Sequence, residues 1–272
     1  VAAPVRAGSF DALTGDAGLF RILAIDHRDA LRVMLPDGFD TPDDQVIQLK
    51  ADLVAITAGI ATGVMLDPRF GLQPPVLDVL PDGVGIVAAL EAQGYMADDS
   101  VTHTTLLEGW DASQAKALGA DMGKVLSLWD GEHWTEQDAM IETAVAQTHD
   151  VGLPFVLEPL ARGLPPTGGW VLDWVRHHAE TSADLLKLPY PGSADACAEI
   201  ARITERPWVI LSAGAAFETF EQQAAEAIDG GAVGYIVGRA VWREAATTDT
   251  AARKAAIEEH VVPRMEALLR LG

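Results

Sequence analysis

A lysine stands alone in the apolar run Asp184-Leu-Leu-Lys-Leu-Pro-Tyr190, with leucines on both sides. Such a run reads as a short buried strand, where a charged lysine loses its hydration without an obvious partner. Burial disfavours the charged form of a lysine, and a neutral amine attacks carbonyl carbon. The competing reading of Lys187 is a stem packed in the core with its head snorkelling to the strand end. Glu158, in Val156-Leu-Glu-Pro-Leu160, is as costly to bury, unless it is a strand-end carboxylate in water. Opposite charges on different strands that share one interior stabilise each other and shift each other's titration. Imine chemistry needs that combination: an amine that attacks and a second group that moves protons.

The elements that must position these residues recur along the chain. Eight apolar runs, at 21–26, 63–67, 84–90, 123–129, 155–160, 185–189, 208–212 and 234–238, are each followed by a polar or glycine-containing break. Helical stretches are expected at 43–62, 136–152, 170–182, 193–206, 216–230 and 253–271. Thr41-Pro42-Asp43 makes a good helix start, with a hydroxyl, a first-turn proline and acids at the positive end of the dipole. Near-continuous apolar strands alternating with helices imply a parallel sheet covered on both faces. Eight such units predict an α/β fold of the TIM (β/α)8 type, as one domain over residues 1–272. A doubly wound open sheet is the alternative, but no Gly-rich dinucleotide fingerprint follows the first strand. The third unit is the weakest, with Gly83, Gly85 and Gly94 around it and a long stretch at 95–114 behind it.

Composition narrows the partners. The formal net charge of -21 argues against nucleic acid and anionic membranes. No apolar stretch reaches the roughly 18 residues of a membrane span, and the first residues lack the apolar core of a signal peptide. The single cysteine, Cys197, excludes an internal disulfide and a multi-cysteine metal site. A soluble, cytoplasmic protein is the expectation.

In a TIM barrel the site lies at the carboxyl ends of the strands. Those ends carry Asp26-His27-Arg28, Asp67, Lys124, Glu158, Lys187, Ser212 and Gly238-Arg239. Gly214 and Gly238 let backbone N–H groups approach an anion, and Arg239 adds a planar, permanently charged fork. The loops after strands seven and eight are the usual phosphate site of this architecture, so a phosphate or similar anion is expected there. The bland alternative is tight turns and an Arg239 paired with a surface acid. No metal site is expected. His177 and His178 are adjacent on a helix, and His103, His133, His149 and His260 have no second histidine at ligand spacing.

At these residues the chain resembles the class I (Schiff-base) aldolase family that contains tagatose 1,6-bisphosphate aldolase and sulfofructosephosphate aldolase. Leu23-Ala-Ile-Asp-His-Arg-Asp-Ala-Leu31 resembles the first-strand motif, an Asp-Gln-Arg in a similar frame. Lys124-Val-Leu-Ser-Leu-Trp129, Leu157-Glu-Pro-Leu160 and Leu186-Lys-Leu-Pro189 are similar to the fourth, fifth and sixth strands. Trp208-Val-Ile-Leu-Ser-Ala-Gly214 with Gly238-Arg-Ala-Val-Trp242 is the most specific match, closest to the sulfofructosephosphate branch.

The resemblance implies an aldehyde-lyase that cleaves a phosphorylated ketose to dihydroxyacetone phosphate and an aldehyde, without metal or organic cofactor. It implies Lys187 as the imine former, Glu158 as the proton shuttle, and Lys124 and Asp26 as the groups that orient the reacting oxygens. Ser212, Gly214, Gly238 and Arg239 would hold the phosphate, with His27 and Arg28 toward substrate hydroxyls or the other end. A homo-oligomer is implied as well. Two departures stand out: His27 replaces a glutamine, and residues 68–87 leave the family pattern. Lys124 also falls early in its run, with Asp130 nearer the carboxyl end. Competing functions on the same barrel are a phosphosugar isomerase or epimerase, with Glu158 as base and Lys124 as electrophile, and a non-catalytic sugar-phosphate-binding protein.

Overall fold

The computed structural model describes residues 10–92, 103–129 and 134–272. Eight parallel strands close into a barrel in sequence order, a TIM barrel. They are β1 Phe20–Ala24, β2 Gly63–Leu66, β3 Gly85–Ala89, β4 Met122–Trp129, β5 Phe155–Ala161, β6 Leu185–Leu188, β7 Trp208–Ile210 and β8 Gly234–Val237. Each of the eight apolar runs supplies one strand.

The strand period of two divides each run between two cores. Ile22, Ala24, Met65, Val87, Met122, Val156, Leu185, Val209 and Ile236 fill the barrel interior. Their neighbours Leu23, Val64, Ile86, Val125, Leu157, Leu186, Ile210 and Val237 face the helices and join the larger outer core. The same alternation continues past the apolar layer. Asp26 lies two residues after Ala24, Lys124 after Met122, Glu158 after Val156 and Lys187 after Leu185. The position of Lys124 early in β4 is explained by register: it pairs with Ala89, the last residue of β3, because β4 begins higher in the barrel.

Helices Asp43–Ala55, Trp134–Asp150, Trp170–His177, Ala194–Ile203 and Phe217–Asp229 lie close to the expected stretches. The first ends earlier than expected: Thr57 Oγ1 donates to the Val54 carbonyl, and Gly59 adopts φ 71°. At the C-terminus the single expected helix is Thr250–Ala256, a π turn at Ile257–Val261, and Val262–Leu268. Pro263 is the reason, since it has no N–H to donate and its ring crowds the preceding turn, which widens. Between β3 and β4 the described chain forms an isolated antiparallel bridge of Glu91 with Leu106 and the helix Ala112–Ala117, started by a reciprocal Asp111–Gln114 capping box. Part of the 95–114 stretch, Asp130 and His133 lie outside the described residues. None of the described helices is long and apolar enough to cross a membrane.

The amino-terminal mouth of the barrel is closed by the short helix Asp11–Thr14, whose Leu13 is fully buried with the interior cluster. Glycine at the foot of β3 makes room for it: a Cβ on Gly85 would lie 2.5 Å from the Ala12 carbonyl oxygen. Gly85→Ala is therefore expected to lower the unfolding free energy by about 1–3 kcal/mol in urea denaturation. An unchanged midpoint would contradict this packing.

Candidate active site

The polar layer above the interior core is a chain of charges. Glu158 Oε2 lies 2.8 Å from Lys187 Nζ and 3.2 Å from Lys124 Nζ, so one oxygen faces both ammonium groups. Lys124 Nζ also donates to Asp26 Oδ2 and to Glu91 Oε1, both at 2.9 Å. Arg28 Nη2 donates to the Glu91 carbonyl at 2.8 Å and lies 3.5 Å from Glu91 Oε1. Three carboxylates, of Asp26, Glu91 and Glu158, thus meet three cations, of Lys124, Lys187 and Arg28, all largely buried. Charges at this depth persist only when paired and hydrogen-bonded. Burial by itself would raise the Asp26 pKa, but the Lys124 and Lys187 charges outweigh it and hold the carboxyl well below the usual range.

Two expectations change here. Arg28 is absent from the cavity lining; it is buried and holds Glu91. Glu91 itself escaped the sequence reading, although it lies two residues beyond the end of β3 and continues the parity of Val87 and Ala89. Asp67 also stays out of the cavity. It is fully buried, pairs with Lys50 and accepts hydrogen bonds from the Arg69 and Phe70 N–H groups. Lys50 in turn donates to the carbonyls of Ile25 and His27, on either side of Asp26, and so fixes the backbone that presents it.

Above the charge chain is a cavity of about 220 Å³, lined by Asp26, His27, Lys124, Glu158, Lys187, Ser212, Gly214, Gly238 and Arg239. One wall is built from the ends of β7 and β8. Ala213 has φ 46° and Gly214 φ 82°, and the Ala215 N–H closes the turn on the Ser212 carbonyl at 2.9 Å. Ala213 is the one non-glycine residue with positive φ among the described residues, a conformation costing about 1–2 kcal/mol. A Cβ at Gly214 would meet Arg239 Nη2 at an ordinary 3.5 Å, so it is the positive φ of this turn, and not the space beside the guanidinium, that requires glycine. Arg243, which sequence reading passed over, donates from Nη2 to the Gly214 carbonyl at 2.8 Å. The other wall is apolar and includes Leu126, Leu160, Leu164 and Pro166.

His27 lies between these features. Its ring packs edge-on against Trp242, with centroids 5.1 Å apart, and its Cε1 would be only 2.8 Å from a Cβ at Gly238. Trp242 is itself tied to β1 through its Nε1 and the Ala24 carbonyl at 2.9 Å. Burial, then the Arg239 and Lys187 charges, pull the His27 pKa down to about 3, against the opposing pull of Asp26. Its Nδ1 has no hydrogen-bond partner among the described residues.

An amine and a carboxylate in contact at the base of a cavity on a (β/α)8 barrel define an enzyme site suited to carbonyl chemistry. Comparison with known proteins identifies the group. The profile described as "DeoC/LacD family aldolase" matches residues 20–244. The chain belongs to the DeoC/LacD aldolase family. It is 26% identical over 277 residues to tagatose 1,6-diphosphate aldolase 2 of Enterococcus faecalis, covering 88% of this chain and 83% of that one. It is 27% identical over 274 residues to tagatose 1,6-diphosphate aldolase of Lactococcus lactis, covering 86% and 83%. In fold it is similar to a Schiff-base-forming fructose-1,6-bisphosphate aldolase, with TM-score 0.68, 20% identity and coverage of 97% and 98%. The fructose-bisphosphate aldolase of Slackia heliotrinireducens gives TM-score 0.65 at 16% identity, covering 99% and 93%.

The His27 geometry yields a pH prediction. The folded pKa of about 3 lies below the ordinary 6.5, so protonation favours the unfolded chain. The group therefore withdraws stability as pH falls from about 6.5 toward 3. Imidazole NMR shifts of His27 are expected to report a neutral ring from pH 8 down to pH ~5. A titration midpoint near 6.5 would contradict the burial described above.

Proposed function

We propose that this aldolase cleaves a phosphorylated ketose to dihydroxyacetone phosphate and an aldehyde through an imine on Lys187. The observation that carries the proposal is the single Glu158 oxygen within hydrogen-bond reach of Lys187 Nζ and 3.2 Å from Lys124 Nζ. In the reaction, Lys187 gives a proton to Glu158 and its neutral Nζ attacks the ketose carbonyl carbon, forming a carbinolamine. Glu158 returns a proton to the departing hydroxyl, and water leaves as the imine forms. A base then takes the proton of the hydroxyl two carbons from the imine carbon, and the bond between that carbon and the one next to the imine is the one that cleaves. The carbon–carbon bond breaks, the aldehyde leaves, and its electron pair moves into the imine to give an enamine. Protonation of the enamine carbon and hydrolysis release dihydroxyacetone phosphate and restore Lys187.

The surrounding groups fit this course. Asp26, held as a carboxylate, and Lys124 orient the hydroxyls that gain and lose protons. Ser212, Gly214, Gly238 and Arg239 all line the cavity and would receive the phosphate through backbone N–H groups and the guanidinium. His27, neutral and with Nδ1 buried 3.7 Å from Asp26 Oδ1, lines the cavity where the family has an amide and would meet substrate hydroxyls there. The resemblance to the family points to a ketose of the tagatose 1,6-bisphosphate or 6-deoxy-6-sulfofructose 1-phosphate type. A cytoplasmic homo-oligomer is the accompanying expectation.

The test is covalent. Borohydride added with dihydroxyacetone phosphate should leave one reduced adduct, mapped by peptide mass to Lys187. Lys187→Met should lose both adduct and cleavage while keeping its thermal unfolding transition. Isomerisation of a ketose phosphate without an adduct would replace the proposal with imine-free proton transfer. Binding without an adduct or turnover would replace it with a sugar-phosphate sensor.

A further inference from the structure

Outside the barrel, helices Trp134–Asp150 and Trp170–His177 meet at one carboxylate. His177 Nε2 lies 3.0 Å from Asp138 Oδ2, and His178 Nε2 lies 3.4 Å from Asp138 Oδ1. Adjacent residues within a helix diverge by about 100°, which is why the sequence offers no shared ion for this pair. The backbone removes that obstacle. His177 is the last helical residue, and His178, at φ -96° and ψ 15°, has left the helix.

The His178 ring is fixed in one tautomer. It is buried, stacks on Trp174 with centroids 4.2 Å apart, and places Nδ1 3.0 Å from the Trp174 carbonyl. A carbonyl only accepts, so the proton resides on Nδ1 and Nε2 of the neutral ring carries a lone pair. Among the described residues that Nε2 has no hydrogen-bond partner, and it points toward a carboxylate oxygen. Two electron-rich atoms held this way repel each other unless a proton or a metal ion lies between them, and 3.4 Å is long for a charge-assisted N–H···O bond. An ion pair of His177 with Asp138 would leave this second opposition in place.

The spacing suits a metal ion. A tetrahedral ion with bonds of about 2.0–2.1 Å keeps its ligand atoms about 3.3–3.4 Å apart. The three ligand atoms here lie within 4.8 Å of one another, and a single oxygen, Asp138 Oδ1, lies 3.2 Å from His177 Nε2 and 3.4 Å from His178 Nε2, near that tetrahedral edge. The carbonyl behind His178 Nδ1 is the outer support that orients a ligating imidazole. Two imidazoles and one carboxylate favour borderline first-row ions over calcium or magnesium, with the remaining positions left to water.

We propose that Asp138, His177 and His178 bind one divalent transition ion of the zinc class and clip the two helices together. None of the three lines the cavity, so the ion acts on the stability of the helix pair and not on the aldolase chemistry.

Chelator-treated full-length protein titrated with Zn²⁺ in a calorimeter should bind one equivalent with micromolar or tighter affinity. Co²⁺ in place of Zn²⁺ should give a visible absorption band of a low-coordinate site. The thermal midpoint should rise with either ion. Asp138→Asn and His177→Gln, both at partly exposed positions, should each weaken binding by about 10–100-fold or more and remove the Co²⁺ band. The metal-free variants should melt as the metal-free parent does, which separates ligand loss from misfolding. No saturable binding below millimolar Zn²⁺ would overturn the site, as would binding that both variants leave unchanged.

Discussion

Everything at the top of this barrel depends on one oxygen, Glu158 Oε2, lying between the ammonium groups of Lys187 and Lys124. A lysine buried alone would be costly, and two buried together would repel. The shared carboxylate removes both difficulties and makes the pair chemically useful, because it can accept a proton from one amine while the other stays paired. Desolvation of each ion costs several kcal/mol, and the partners around it offset that cost. Asp26 and Glu91 complete it on the far side of Lys124, and Arg28 balances Glu91.

The barrel supplies this arrangement through parity and register. An interior-facing residue is followed by another two positions later, so the apolar plug of Ala24, Met122, Val156 and Leu185 leads directly to Asp26, Lys124, Glu158 and Lys187. The hydrophobic core therefore fixes where the charges meet. Beyond them, Arg239 lines the cavity beside the strained turn at Ala213-Gly214, and Arg243 donates to the Gly214 carbonyl. In a chain of net charge -21, a guanidinium on the cavity wall supports the proposed anionic substrate.

Much of this was legible in the sequence because burial leaves a direct trace in it. Lys187 and Glu158 interrupt apolar runs, all eight strands are apolar runs, and the glycines and Arg239 stand at the ends of the last two. What escaped depends on relations between segments that a one-dimensional pattern does not carry. Lys124 looked too early in its strand because register with β3, not position within the run, sets its height. Glu91 went unnoticed because it lies just past the third apolar run, although its parity with Val87 marks it as interior. Arg28 has the charge for a substrate contact, but its direction is set by the buried Glu91. Arg243 and the convergence of His177 and His178 on Asp138 likewise appear only when separate helices are brought together.

The central claim is that Glu158 moves the protons that let Lys187 form its imine. Rapid-quench borohydride trapping with dihydroxyacetone phosphate measures that step directly, in the parent enzyme and in Glu158→Gln. The account predicts that the variant still binds the phosphate but forms the Lys187 adduct about 10²–10⁴-fold more slowly. Trapping at the parental rate in Glu158→Gln would contradict it.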